Sequence, residues 1–106
     1  MSMNTYTLTV VTPAGTVFDG AVESLVAPGE EGMLGVLSHH APMVAGLKPG
    51  VLTVTPEAGT ALYFVIGVGV LEVNVGNEVV VLADSADSAA TREEAGRLLE
   101  KAPVSG

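Results

Sequence analysis

Cysteine is absent from all 106 residues, which removes disulfide scaffolds, thiolate metal sites and cysteine nucleophiles together and is compatible with a reducing compartment. Tryptophan is absent too, and the aromatics are Tyr6, Phe18, Tyr63 and Phe64 alone. Long apolar runs are missing: the uncharged stretch from Ala58 to Leu71 falls short of the roughly 20 residues a bilayer span takes. Met1 to Thr9 carries neither a basic residue nor an apolar segment of signal-peptide length, which speaks against a cleaved secretion signal. Positive charge is scarcest of all. Within a net charge of −8, residues 1–86 set Asp19, Glu23, Glu30, Glu31, Glu57, Glu72, Glu78 and Asp84 against Lys48 alone. Such a surface repels backbone phosphates and anionic headgroups. It excludes nucleic acid as a main partner and leaves a soluble protein, beside a membrane rather than inserted in it.

What the chain does have is valine, glycine (13) and proline (6), with 48% of residues apolar, a mix that favours short strands broken by tight turns. The length suits one domain with one core. Tyr6 to Val10 alternates with the period of a half-buried strand, and Thr12-Pro-Ala-Gly15 follows as a turn. Thr16 to Phe18 and Ala21 to Ala27 read as two strands of a hairpin about Asp19-Gly20, a pair suited to a type I′ turn. Pro28 to Gly32 is a loop. Further strands are expected at Met33–Leu37, Met43–Leu47, Val51–Thr55, Ala61–Ile66, Val70–Val75 and Glu78–Ala83, with Ser38 to Pro42, Lys48 to Gly50, Pro56 to Gly59, Gly67 to Gly69 and Gly76-Asn77 between them. This spacing predicts a mainly β fold, a sandwich or barrel, over residues 1–86.

At Asp84 the β-branched residues give way to Ala, Glu, Arg and Leu. Thr91-Arg-Glu-Glu94 has capping-box spacing, and Ala95, Leu98, Leu99 and Ala102 form one apolar stripe. Residues 87–106 are therefore a short helical tail, lying between Ser88 and Ala102 and stopped by Pro103. A helix this short is unstable alone and must lie on the sandwich or on a partner.

Chemistry finds little to build from. His39 and His40, with Glu30 and Glu31 nearby, invite a metal reading, but adjacent residues of an extended segment point to opposite sides and no further ligands follow at a usable spacing. A solvent-facing or interface histidine pair is the plainer reading. Gly29-Glu-Glu-Gly32 lacks the Gly-Lys-Ser/Thr of a phosphate loop, and Gly67-Val-Gly69 lacks the third glycine of a dinucleotide fingerprint. No nucleophile elbow is present. The inventory points to a protein-binding module without enzyme activity, metal or cofactor. Glu30-Glu31 reads as a solvated loop tip that protects a strand edge, and Met33, Met43 and Val44 read as core or as a docking patch.

Taken together, Gly29-Glu-Glu-Gly32-Met-Leu-Gly35, His39-His40-Ala-Pro42 and Leu47-Lys-Pro-Gly50-Val-Leu resemble the epsilon subunit of F-type ATP synthase. Val10-Val-Thr-Pro, Val17-Phe-Asp-Gly20, Gly67-Val-Gly69-Val-Leu-Glu72 and Val81-Leu-Ala-Asp84 continue the likeness over residues 5–86. The resemblance implies an antiparallel two-sheet β-sandwich in the rotor, at the foot of the central stalk, coupling gamma to the c-ring for proton-driven ATP synthesis. It implies a peripheral position at the cytoplasmic face of a bacterial inner membrane, and the stromal face of a thylakoid fits equally. Carried over by position, the c-ring contacts are Glu31, Met33 and His40, with Glu30 and His39 beside them, and the gamma contacts are Thr12 and Val44. Two departures stand out. Met33 occupies a position that is often acidic, and a single short helix replaces the family's two-helix hairpin. Ala90-Thr-Arg-Glu-Glu-Ala95 does not reproduce the family's nucleotide-binding pattern. The implied subunit couples without inhibiting through its tail and binds no ATP. An unrelated β-sandwich binding module is the alternative.

Overall fold

Buried and more exposed residues alternate along several strands of the computed structural model, which describes residues 4–57 and 59–101. Strand β1 (Tyr6–Thr12) shows why: Tyr6, Leu8, Val10 and Thr12 are buried, and the residues between them are more exposed. The other elements are β2 (Gly15–Gly29), β3 (Gly32–Leu37), β4 (Met43–Leu47), β5 (Gly50–Pro56), β6 (Leu62–Ile66), β7 (Gly69–Asn74), β8 (Glu78–Ala83), β9 (Ala86–Ala89) and α1 (Arg92–Lys101).

The fold is organised around β2, whose length lets it serve both layers of a sandwich. Its first half pairs with β1 and its second half with β3, while Val22 to Val26 pair with β5 on the other side. One layer continues through β1, β8, β7 and β4, the other through β5, β6 and β9. A register shift between Val22 and Ser24 marks where β2 passes from one layer to the other, the usual use of a bulge. A single bridge from Gly29 to Leu47 joins β2 to β4. It is fastened by Glu30 N–H donating to Gly46 O at 3.0 Å and Lys48 N–H to Pro28 O at 2.9 Å.

The pairings are antiparallel apart from β1 with β8, which is parallel. The hairpin expected at Asp19-Gly20 does not form. The chain reverses at Pro13-Ala14, and Asp19 and Gly20 lie mid-strand opposite Thr9 and Leu8, neither with a positive φ. Once Thr12 and Gly15 close the earlier turn, the ladder to β1 holds the Asp-Gly pair extended. Strand β9 straddles the boundary expected between sandwich and helical tail at 86/87, and it pairs with β6.

Leu8, Leu25, Leu47, Leu52, Ile66 and Leu71 form the centre of the core, each almost fully buried. Tyr6 spans it and donates its hydroxyl to Val36 O at 2.8 Å. Burial pushes the Tyr6 hydroxyl well above the usual tyrosine pKa, because the phenolate would be stranded away from water.

The expected cap starts α1: Glu94 N–H donates to Thr91 Oγ1 at 3.1 Å. The helix lies over β5, β6 and β9. Val65 alternates with the core residues Phe64 and Ile66, so it faces the other side of β6, and it is buried there together with Ala95. Arg92 stands over the Tyr63 ring, 6.0 Å from its centroid. Ala102 and Pro103 lie outside the described residues.

Candidate functional site

The Gly-x-x-Gly pattern is a turn requirement before it is anything else. Gly29 faces Gly32 across a two-residue reversal whose tip is Glu30-Glu31. A Cβ on Gly29 would stand 2.6 Å from Gly32 O, and Gly32 has φ +130, a region that favours glycine. Both carboxylates are exposed at that tip.

A groove of about 480 Å³ lies between this turn and β4, with Glu30, Glu31, Met33, Leu34, Met43 and Val44 among its walls. Met33 is 65% and Val44 67% exposed, so two largely exposed apolar side chains line one groove. Glu30 is set in place from two directions. Its backbone is bonded to Gly46, and its carboxylate lies across Gly46 where any Cβ would collide with it. The missing side chain at position 46 is therefore the space in which the Glu30 carboxylate rests.

The histidines stand elsewhere. β3 separates them from the acidic tip, and its six residues extend about 17 Å at the rise of a strand. His39 is exposed and adopts φ 62. Its backbone N–H donates to Asn77 Oδ1 at 2.6 Å. Asn77, itself at φ 62, donates Nδ2–H to Thr5 O at 2.8 Å and accepts Thr7 N–H at its carbonyl at 3.3 Å. His40 is half-buried and its Nδ1–H donates to Ala41 O at 2.8 Å, which leaves Nε2 as the acceptor of the neutral ring.

The residues expected as contacts thus form two groups. Glu30, Glu31 and Met33 gather at the groove, and Val44, expected to face the other partner, joins them. His39 and His40 form a separate corner at the far end of β3. Thr12 belongs to neither: it is 8% exposed, and its Oγ1 is used within its own turn, accepting Ala14 N–H at 3.2 Å and donating to Gly15 O at 3.3 Å. Gly46 and Asn77 were not among the expected site residues. Their roles depend on pairings that no local motif announces.

Among the described residues no group of three or more His, Cys, Asp or Glu could hold a metal ion, and no helix is long and apolar enough to cross a membrane.

The sequence pattern of the family described as ATP synthase, Delta/Epsilon chain, beta-sandwich domain matches residues 5–89. The chain is 45% identical over 92 residues to an ATP synthase epsilon chain of Acidithiobacillus ferridurans, covering 87% of this chain and 64% of that one. With an ATP synthase epsilon chain of Pelotomaculum thermopropionicum it shares 44% identity over 101 residues, covering 92% of this chain and 74% of that one. A chain of the Euglena gracilis mitochondrial ATP synthase (OSCP/F1/c-ring) superposes with a TM-score of 0.75 at 27% identity, over 91% of this chain and 62% of that one. A chain of the Tetrahymena thermophila mitochondrial ATP synthase (central stalk/c-ring) gives 0.67 at 19% identity, over 77% and 65%, a likeness of fold alone.

Proposed function

The chain belongs to the ATP synthase delta/epsilon family by its β-sandwich domain, and from that premise we propose that it is a non-catalytic rotor subunit joining gamma to the c-ring. The sandwich, β9 included, is the coupling body, and the helical segment that follows it is the tail. The observation that carries this reading is the 45% identity to an epsilon chain over most of the sequence. The geometry supports it: a closed sandwich with two exposed contact regions separated by the length of β3 suits a joint that passes torque between partners.

The acidic tip with Met33 serves the c-ring, and Val44 brings gamma to the same groove, so the two partners meet there. His39 and His40 add a second contact along the ring-facing side. Thr12, its hydroxyl already bonded within its turn, contributes the shape of that turn to the gamma side. The complex sits peripherally at the cytoplasmic face of the membrane and works in proton-driven ATP synthesis. The docked α1 supports a tail that does not extend to inhibit, and the absence of the family's nucleotide pattern supports a subunit that binds no ATP.

The test is capture of the chain from detergent extracts of its own membranes with mass spectrometry of what co-purifies, alongside Glu31→Ala and His40→Ala variants. Gamma and c are expected with the wild type, and c is expected to fall in the Glu31 variant. Absence of gamma under conditions that keep the synthase intact would end the rotor reading. Inhibition of ATP hydrolysis on adding the chain to an epsilon-depleted enzyme would end the non-inhibitory one.

A further inference from the structure

The connection from β3 to β4 runs through Ser38 to Pro42, and its geometry is fixed by a residue from a distant turn. His39 holds φ 62, a left-handed conformation that costs a non-glycine residue about 1–2 kcal/mol. Histidine, like asparagine, enters this region more readily than most residues. The constraint visible at His39 is the short bond from its N–H to Asn77 Oδ1, 2.6 Å.

Asn77 is well suited to impose it. Its own φ of 62 is one that asparagine tolerates better than most residues. Its amide nitrogen and carbonyl oxygen are anchored on Thr5 and Thr7 at the start of β1. The Oδ1 atom is therefore held by β1 and the β7–β8 turn together. With the backbone of His39 fixed, its exposed ring, whose Nδ1 lies 3.3 Å from Ser38 Oγ, and the adjacent His40, whose Nδ1 is committed to Ala41 O, project from one turn.

We infer that Asn77 is a positioning residue for the His39–His40 corner: its side-chain oxygen locks His39 in the left-handed turn that presents the two imidazoles to the rotor. The inference rests on the reading that this corner touches the gamma and c-ring assembly. Two substitutions separate positioning from simple support of the fold. Asn77→Asp keeps an oxygen acceptor for His39 N–H and loses the donor to Thr5. Asn77→Gly keeps the positive φ and loses both bonds.

The experiment measures affinity of the full-length variants for the isolated gamma and c-ring assembly, hydrogen exchange at the His39 amide, and thermal unfolding of each free chain. Asn77→Gly is expected to bind roughly tenfold more weakly, the loss of about one well-made hydrogen bond, with its His39 amide exchanging freely. Asn77→Asp is expected to bind close to wild type and keep the His39 amide protected, although it too loses the bond to Thr5. Equal losses in both variants, unchanged binding by Asn77→Gly, or a glycine variant that does not fold would each overturn the inference, because the amide would then serve only stability. A wild-type chain that binds no gamma and c-ring assembly would instead remove the reading beneath it.

Discussion

At Gly46 a side chain is excluded by another residue rather than by a turn. The Glu30 carboxylate fills the space that a Cβ would take, and Glu30 is also tied to Gly46 through the backbone. Gly46→Ala displaces only the far end of the exposed, flexible Glu30 side chain, so it should move the carboxylate off β4 at a cost within about 0.5 kcal/mol. Denaturant unfolding should show a near-wild-type midpoint, and on the proposed reading affinity for the c-ring falls while the fold stays stable. Tyr6 makes the opposite point, since its hydroxyl is needed inside. Tyr6→Phe strips Val36 O of its donor, a loss of about 1–3 kcal/mol where the group stays buried. The same hydroxyl gives a pH dependence. Its folded pKa is raised above the unfolded value of 10.0, so the stability it contributes is complete below about pH 10. That contribution is lost as pH rises further, towards the folded value. An alkaline titration should show the wild type losing stability above that point more steeply than Tyr6→Phe, and parallel curves would contradict the assignment.

Among the elements, legibility followed local pattern. Met43–Leu47 and Glu78–Ala83 have the bounds expected of apolar runs set between turn residues, because Ser38 to Pro42, Lys48 to Gly50 and Gly76-Asn77 punctuate the chain around them. β9 escaped because Ala86-Asp-Ser-Ala89 carries no β-branched or aromatic residue, and it is a strand only through its ladder to β6. Asp19-Gly20 misled because its turn chemistry is genuine, yet the reversal at Pro13-Ala14 had already set the register. That competition yields a prediction. Gly20 has no positive φ, and a Cβ there would meet only the Phe18 ring at 3.7 Å, an ordinary contact. Gly20→Val should therefore be neutral or raise stability by up to about 1 kcal/mol. A type I′ turn at this position would make the same change strongly destabilising, and the shift in thermal midpoint decides between them. For α1, Thr91→Ala should cost about 1 kcal/mol of helix stability, read as faster amide exchange at Glu94 and along the helix before any change in the β strands.

For the molecule as a whole, the sequence names the proposed contact residues one by one, and the fold supplies their grouping. Glu30, Glu31, His39 and His40 stand within one short stretch of sequence, and the strand expected between them, observed as β3, sets the two pairs at its opposite ends. The bonds that fix the two groups come from Gly46 and Asn77, the latter 38 residues from its partner His39. A coupling body needs contacts that are separate yet carried by one frame, and this makes energetic independence a measurable property. The acidic tip and the histidine corner share no hydrogen-bond partner among those found, and they stand about 17 Å apart along β3. Substitutions beyond roughly 7–10 Å from one another normally add. Glu31→Ala and His40→Ala should each weaken binding to the gamma and c-ring assembly, and the double variant should lose the sum of the two within about 0.5 kcal/mol. A double variant no weaker than the worse single one would mean that the tip and the corner act as one contact. The sandwich would then not be holding two independent grips on the rotor.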